Sequence, residues 1–150
     1  MSKYSQGQFI PKNPQKVIGN SQIFFRSSWE SKFMQFLDEH AGVIQWASES
    51  IRIPYTNPLT GKRSQYVPDF LILYQDKTGK QHAELVEIKP KREALMEKAK
   101  SMRDKAFLAI NTAKFAAAMM WAKKNGIVFR VITESELFPT TGNQVKGKRK

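Results

Sequence analysis

Residues 66–89 read YVPDFLILYQDKTGKQHAELVEIK, and this stretch decides the fold. Two parts of it, residues 66–74 and 83–89, are rich in the aliphatic and aromatic side chains that are typical of β-strands. Between them lies Asp76-Lys77-Thr78-Gly79-Lys80, in which Asp and Gly favour a turn. The stretch therefore predicts an antiparallel hairpin.

Two acids and a lysine lie on this predicted hairpin. Asp69, after Pro68, falls in the first strand, and Glu87-Ile88-Lys89 ends the second strand. Side chains alternate between the faces of a strand, so Glu87 and Lys89 share a face, and antiparallel pairing can bring Asp69 within reach of Glu87. Two close carboxylates repel each other unless a proton or a cation lies between them. Mg²⁺ would relieve this repulsion, because it prefers oxygen ligands, accepts one or two carboxylates and keeps several waters.

Predicted helices and strands surround the hairpin. Apolar residues recur at helical steps over residues 28–40, and residues 43–55 contain one or two extended runs. After the hairpin, residues 91–125 are rich in Ala, Lys, Met and Glu, which favours two helices with a break at Asn111-Thr112. A β-branched run at residues 127–132 predicts the last strand. The order is helix, three strands, helices and strand, which is typical of an α/β fold.

Composition narrows the class of protein. Of the 150 residues, 41% are hydrophobic, which is enough to bury the core of one globular domain. The chain has no cysteine and 2 histidines, which excludes thiol catalysis and Cys-ligated metal sites and leaves carboxylates as the main metal ligands. No run approaches the roughly 20 apolar residues of a membrane span, so a membrane is not an expected partner.

Positive charge is concentrated in the second part of the chain. Against 13 Asp+Glu stand 25 Lys+Arg, a formal net charge of +12, of which the residues through Ile88 carry +2 and the remainder +10. Lysines and arginines that neutralise phosphates release counterions, so a nucleic acid is the expected partner. The basic residues that we expect to contact the nucleic acid are Lys91, Arg92, Lys98, Lys146, Lys148, Arg149 and Lys150.

The chain divides into three parts. Residues 1–22 are polar and contain Gly and Pro, which is typical of an arm. Residues 23–138 hold the predicted helices and strands and form the expected domain. Residues 139–150 form a basic tail that we expect to be flexible.

The acidic motif resembles that of a known superfamily. Pro68-Asp69 followed by Glu87-Ile88-Lys89 resembles the motif of the PD-(D/E)xK nucleases, which are also called restriction-endonuclease-like. In many members the first helix contributes a glutamate, and Glu30 matches that position. Segments that look like the head completion nucleases of large tailed bacteriophages, and more distantly like the N-terminal nuclease domain of transposon-end-cutting transposase subunits, lie at residues 25–36, 45–49, 67–70, 87–90 and 129–134.

The resemblance implies a restriction-endonuclease-like fold, in the order αβββαβ, with a mixed sheet flanked by helices. It also implies a nuclease domain over residues 23–138 that hydrolyses double-stranded DNA, with Mg²⁺ as cofactor and Mn²⁺ as an alternative. Asp69 and Glu87 would bind the metal together with the backbone carbonyl of Ile88. Glu30 would supply a further carboxylate directly or through water, and Lys89 would activate or orient the nucleophile.

The same resemblance implies a biological role. The protein would complete the phage head by processing or protecting the packaged DNA end before tail attachment. Portal or neck proteins would be its partners, and it would reside in the host cytoplasm and in the virion. The alternative is a non-catalytic DNA-binding component of the neck or capsid with a nuclease-like fold. The sequence leaves open the specificity of cutting, the number of metals and the oligomeric state.

Four single residues carry further expectations. Glu30 also fits a capping box in which Ser27 caps the first helix, so the metal and capping interpretations both stand. Arg26 and Gln45 are candidates for contact with DNA or with the surroundings of the metal, on the resemblance alone. Glu84, on the face of its strand opposite Glu87, is interpreted as a solvated acid.

Overall fold

The structure, a computed structural model, describes residues 6–19, 22–89 and 101–133. Within these ranges the α-helices are α1 (Ser28–Glu39) and α2 (Met102–Lys124), and a short 3-10 helix spans Pro14–Lys16. The strands are β1 (Gly7–Phe9), β2 (Ile23–Phe25), β3 (Val43–Ser48), β4 (Ile53–Thr56), β5 (Arg63–Tyr66), β6 (Phe70–Gln75), β7 (Gln81–Ile88) and β8 (Val128–Ile132). None of the helices in these ranges is long and apolar enough to cross a membrane.

A four-stranded mixed sheet organises the chain. Its strand order is β3-β6-β7-β8, in which β3, β6 and β7 are antiparallel neighbours and β8 runs parallel to β7. Parallel neighbours need a long crossover connection, and α2 lies in the segment that joins β7 to β8. The order α1, β3, β6, β7, α2, β8 confirms the predicted αβββαβ, restriction-endonuclease-like fold with helices flanking a mixed sheet.

The two faces of the sheet are buried against different layers. On one face, Val86 and Ile88 of β7 pack with α1 residues such as Phe33. On the other face, Leu85 packs with α2 and with the β4–β5 hairpin. Because side chains alternate along β7, Glu87 shares the face of Leu85 and is directed toward the layer that contains α2. Burial from both sides explains why the last four residues of β7 are all buried.

The first strand of the predicted hairpin differs from the structure. The run 66–74 is not continuous, because β5 ends at Tyr66, pairs with β4 in a separate two-stranded ladder, and is followed by β6 only from Phe70. Pro68, which has no N–H for a ladder, lies fully buried in the connection. The expectation that Asp69 lies inside a strand is therefore wrong: it lies where the chain passes from one sheet to the next.

The predicted break within the second helical region is also wrong. The helix α2 continues through Asn111 and Thr112, and the Thr112 hydroxyl donates a hydrogen bond of 2.8 Å to the Leu108 carbonyl one turn earlier. This back-bonding lets a residue that favours caps remain in a helix interior. The expected end of the helix is confirmed, since Asn125 is the C-cap and Gly126 takes the left-handed φ of 72°.

The described part of the N-terminal arm lies against the domain. The buried Asp38 of α1 accepts hydrogen bonds of 2.9 Å from the backbone N–H groups of Lys12 and Asn13. The N–H of Ile18 donates to the carbonyl of Trp46 in β3 at 2.9 Å. These bonds attach residues 6–19 to the domain, while its boundaries at 22 and 138 stay a prediction.

Candidate active site

The acid pair lies at one end of the central hairpin. The β6–β7 register pairs Phe70 with Val86, which places Asp69 opposite Glu87 at the next position. Asp69 is 8% exposed and Glu87 is 9% exposed. The predicted approach of the two acids is therefore present, although Asp69 reaches its position from a connection rather than from a strand.

Backbone N–H groups from two segments hold Asp69 in place. Its Oδ2 accepts a hydrogen bond of 2.7 Å from the N–H of Ile88, and its carbonyl accepts one of 2.9 Å from the N–H of Glu49. Hydrogen bonding by the Asp69 backbone in turn lowers the pKa of Glu87, against the effect of burial. In an extended strand the N–H and C=O of one residue point to the same side, so the Ile88 carbonyl also faces the side of Asp69.

Glu87 contacts a hydroxyl and a lysine. Its Oε1 accepts a hydrogen bond of 2.8 Å from the hydroxyl of Tyr66, in buried surroundings. Its Oε2 lies 3.9 Å from Nζ of Lys89, whose backbone N–H bonds to the Ile132 carbonyl of β8 at 2.9 Å. Glu87 and Lys89 thus meet on one face, as the strand period predicts, and β8 anchors the backbone of the lysine.

The electrostatics of the pair favour a cation. Burial first, and the nearby charge of Glu87 second, raise the pKa of Asp69 to about 8. Burial also raises the pKa of Glu87, against the opposing effects of the Tyr66 hydrogen bond and the charge of Lys89. The two carboxyls are therefore hard to ionise together, and a cation between them would reverse this.

The ligand chemistry of the site fits Mg²⁺. Across the three described ranges, no group of three or more His, Cys, Asp or Glu residues could hold a metal ion. The donors that converge are two carboxylates, from Asp69 and Glu87, beside a main-chain carbonyl that faces the same side. One or two carboxylates with the remaining positions left to water and phosphate is the coordination that Mg²⁺ takes in phosphoryl-transfer sites.

Glu30 lies in the first turn of α1 and takes part in capping the helix. The Oγ of Ser27 accepts a hydrogen bond of 3.1 Å from the N–H of Glu30, and Oε1 of Glu30 accepts one of 2.9 Å from the N–H of Arg26. This is the capping box with its return bond shifted by one residue. The charge of Glu30 also contributes to the raised pKa of Asp69, so the helix N-terminus lies near the acid pair.

Arg26 connects Glu30 to the pair. Its guanidinium forms an ion pair with Glu49. Burial opposes its charge, but Glu49, Glu30 and Asp69 together raise the pKa of Arg26. Glu49 has a positive φ of 50°, a conformation that a non-glycine residue adopts only when its surroundings hold it there. Arg26 therefore belongs to the carboxylate cluster, and its contact with DNA stays a prediction.

Two residues near Glu87 were missed by sequence reasoning. One is Tyr66, and nothing in the sequence pattern distinguishes its hydroxyl from that of any other strand tyrosine. The other is Lys114 of α2, whose Nζ lies 5.8 Å above the Tyr66 ring and whose charge lowers the pKa of Glu87. A signal for Lys114 was available, because it is the single charged residue in the stretch 106–122.

The remaining predicted DNA contacts lie outside the described residues. They are Lys91, Arg92, Lys98, Lys146, Lys148, Arg149 and Lys150. Among the described predictions, Asp69, Glu87 and Lys89 come together, and Glu30 and Arg26 lie beside them.

Glu84, the other acid of β7, is not a solvated side chain. Its Oε1 lies 3.0 Å from Nε and 2.9 Å from Nη2 of Arg130, and its Oε2 accepts a hydrogen bond of 2.9 Å from the Tyr74 hydroxyl. The interpretation of Glu84 as solvated is wrong because β8 brings an arginine beside it, which the strand pattern of β7 alone does not reveal.

The fold and the acid pair together define a restriction-endonuclease-like protein. Residues 40–134 match the family described as TnsA-like endonuclease N terminal. The chain is also 35% identical over 142 residues to the head completion nuclease of Enterobacteria phage T4, and the match covers 87% of this chain and 92% of that protein. The chain therefore belongs to the TnsA-like endonuclease family.

Proposed function

We propose that this protein is a Mg²⁺-dependent deoxyribonuclease that completes a phage head by processing or protecting the packaged DNA end before tail attachment. The observation that carries the chemistry is the buried Asp69–Glu87 pair with Lys89 beside it. The similarity to the head completion nuclease of phage T4 supports the role in head completion. Double-stranded DNA is the substrate, portal or neck proteins are the partners, and the host cytoplasm and the virion are the locations.

Each residue of the site has a separate task. Asp69, Glu87 and the carbonyl of Ile88 hold the metal, which when bound supplies a Lewis acid for the phosphoryl oxygens and lowers the pKa of a coordinated water. Lys89 orients the attacking water or stabilises negative charge that develops on the phosphate. Glu30 adds negative charge at the metal, directly or through water, from the N-terminus of α1.

The test is a cleavage assay on linear, nicked and supercoiled double-stranded DNA. Wild type is compared with Asp69→Asn and Lys89→Gln in EDTA, in Mg²⁺ and in Mn²⁺. We expect cleavage by the wild type with either metal, none in EDTA, and none by either variant. Cleavage by both variants would contradict the site assignment.

The same assay separates the alternative function. A wild type that binds DNA with strong salt dependence, but cuts none of the substrates with any metal, would be the non-catalytic neck or capsid component. Branched and defined-end substrates in a second series would then establish which DNA structure an active enzyme cuts.

A further inference from the structure

Tyr66 lies at the end of one sheet and contacts the other. It is the last residue of β5, three positions before Asp69, and its side chain is directed into the layer between the central sheet and α2. Its hydroxyl donates the 2.8 Å hydrogen bond to Oε1 of Glu87, and both residues are buried. The residue that ends one sheet thus contacts an acid of the other.

The hydrogen bond restricts the orientation of the Glu87 carboxylate. The last torsion of a glutamate side chain is broad, so a carboxylate is poorly oriented unless a partner holds one oxygen. With Oε1 held by Tyr66, the other oxygen is directed to the side where Lys89 lies 3.9 Å away. Loss of a group that holds a metal ligand in this way typically lowers metal affinity or activity about 10- to 100-fold.

The tyrosine ring is itself held in place from two elements. The ring of Phe115 in α2 lies 6.2 Å away and that of Phe129 in β8 lies 6.3 Å away, between ring centroids. Nζ of Lys114 lies 5.8 Å from the Tyr66 ring centroid. The ring contacts thus hold the hydroxyl where it donates its hydrogen bond to Oε1 of Glu87.

We propose that Tyr66 is a positioning residue, which orients Glu87 to bind the divalent metal. Tyr66 is in turn held in its own position by α2 and β8. This inference rests on the proposed metal-dependent function. A purely structural role, in which Tyr66 packs the layer and its hydroxyl merely finds a partner, makes a different prediction, because removal of the hydroxyl would then leave metal affinity unchanged.

The experiment compares Tyr66→Phe with Tyr74→Phe. Each variant removes one tyrosine hydroxyl that donates to a glutamate of β7, at 2.8 Å for Tyr66 and 2.9 Å for Tyr74, and each keeps the ring. Binding of Mn²⁺ to the DNA-free protein is measured by the loss of the free-ion EPR signal, and circular dichroism checks the fold. We expect Mn²⁺ affinity to fall about 10-fold in Tyr66→Phe and to stay within about twofold of wild type in Tyr74→Phe.

A second readout uses cleavage at increasing Mg²⁺. We expect Tyr66→Phe to need about 10-fold more Mg²⁺ for half-maximal cleavage and to recover at saturation, whereas Glu87→Gln does not recover. Unchanged Mn²⁺ affinity in Tyr66→Phe, with normal binding by the wild type, would overturn the positioning role alone. A wild type that binds no Mn²⁺ would instead overturn the metal-dependent function, and the positioning role with it.

Discussion

Glu84 and Glu87 lie three residues apart on β7 and face opposite sides of the sheet. Both accept a hydrogen bond from a tyrosine hydroxyl, at 2.9 and 2.8 Å respectively. Their charged neighbours differ, because Arg130 approaches Glu84 with two nitrogens within 3.0 Å, whereas Lys89 stays 3.9 Å from Glu87. Glu87 also faces a second acid, Asp69, which has no counterpart in the contacts described for Glu84.

We expect this difference to separate a structural acid from a functional one. An acid whose two oxygens are occupied by an arginine and a hydroxyl is electrostatically satisfied, so it stabilises the sheet and has little left to offer a ligand. An acid that is buried beside another acid is not satisfied by the protein alone, and this is the condition in which perturbed pKa values accompany function. Four predictions test whether the contrast holds.

The largest expected effect is on cleavage. Glu87→Gln removes one of the two carboxylates that we propose bind the metal. We expect the cleavage rate to fall on the order of 10²- to 10³-fold, the scale for loss of one preorganised electrostatic group. Glu84→Gln is the matched control and should retain the rate within about twofold. Rates are measured on linear DNA in Mg²⁺, and an equal loss in both variants would remove the distinction between the two acids.

A second prediction concerns stability and pH in metal-free buffer. The pKa of Asp69 is raised from 3.8 to about 8, so the folded protein keeps this proton to higher pH than the unfolded chain. The contribution of Asp69 to stability is therefore lost as the pH rises from about 4 to about 8. The side chain of Asp69→Asn does not ionise, so this variant should become more stable relative to wild type across this range. The difference in unfolding free energy should grow on the order of 1 kcal/mol per pH unit.

Thermal unfolding of both proteins at pH 5, 6, 7 and 8 in EDTA measures this difference as a difference in Tm. Addition of Mg²⁺ at pH 8 should raise the Tm of the wild type and leave Asp69→Asn unchanged. A constant difference in Tm from pH 5 to pH 8 would mean that Asp69 ionises normally in the folded protein.

The third prediction concerns Glu30, an acid that has both a capping role and a proposed role at the metal. Ser27→Ala removes the cap and should lower stability by about 1 kcal/mol with normal cleavage. Glu30→Gln keeps an acceptor for the Arg26 N–H but removes the charge, so it should cut about 10-fold more slowly at nearly wild-type stability. Urea unfolding and cleavage rates are measured on both variants. Full activity in Glu30→Gln would leave Glu30 with the capping role alone.

The smallest expected effect is at Arg130. Its ion pair with Glu84 is partly exposed, with 42% of the arginine side chain accessible, and pairs of this kind contribute about 0–1 kcal/mol. Arg130→Gln should therefore lower the unfolding free energy by less than about 1 kcal/mol, less so in high salt, and leave cleavage unchanged. A loss of cleavage in this variant would extend the active site to the other face of the sheet.

The elements of the hairpin and the meeting of its acids were predictable from local pattern. Alternation along residues 83–89 placed Glu87 and Lys89 on one face, and the turn at Asp76 to Lys80 fixed the direction of the strands. The path of residues 66–69 was not predictable in the same way. Whether the strand continues from Tyr66 into β6 or ends there depends on which strand Tyr66 pairs with, and here it pairs with β4. The alternation of side chains within a strand does not reveal its pairing partner.

The contact of α2 with the site could not be located from the sequence, although the single charge of Lys114 within residues 106–122 was a signal that α2 takes part. Tyr66 and Lys114 meet because the β4–β5 hairpin packs against α2, and this tertiary contact joins residues far apart in the chain. The predicted helix break at Asn111 was wrong for a similar reason. The low helix propensity of Asn favours a cap at this position, but burial of Asn111 in the layer overrides that propensity.

Glu87 lies close to Asp69 along the chain but far from Val131, its partner in β8. This difference has a consequence for folding kinetics. Asp69 and Glu87 are brought together by a short hairpin, whereas the parallel pairing of Glu87 with Val131 must wait for the crossover through α2 to close. In an open hairpin, water screens the repulsion between the acids, so the repulsion grows only when α2 and β8 bury them. We expect the pair to slow the last step of folding and a divalent ion to accelerate it.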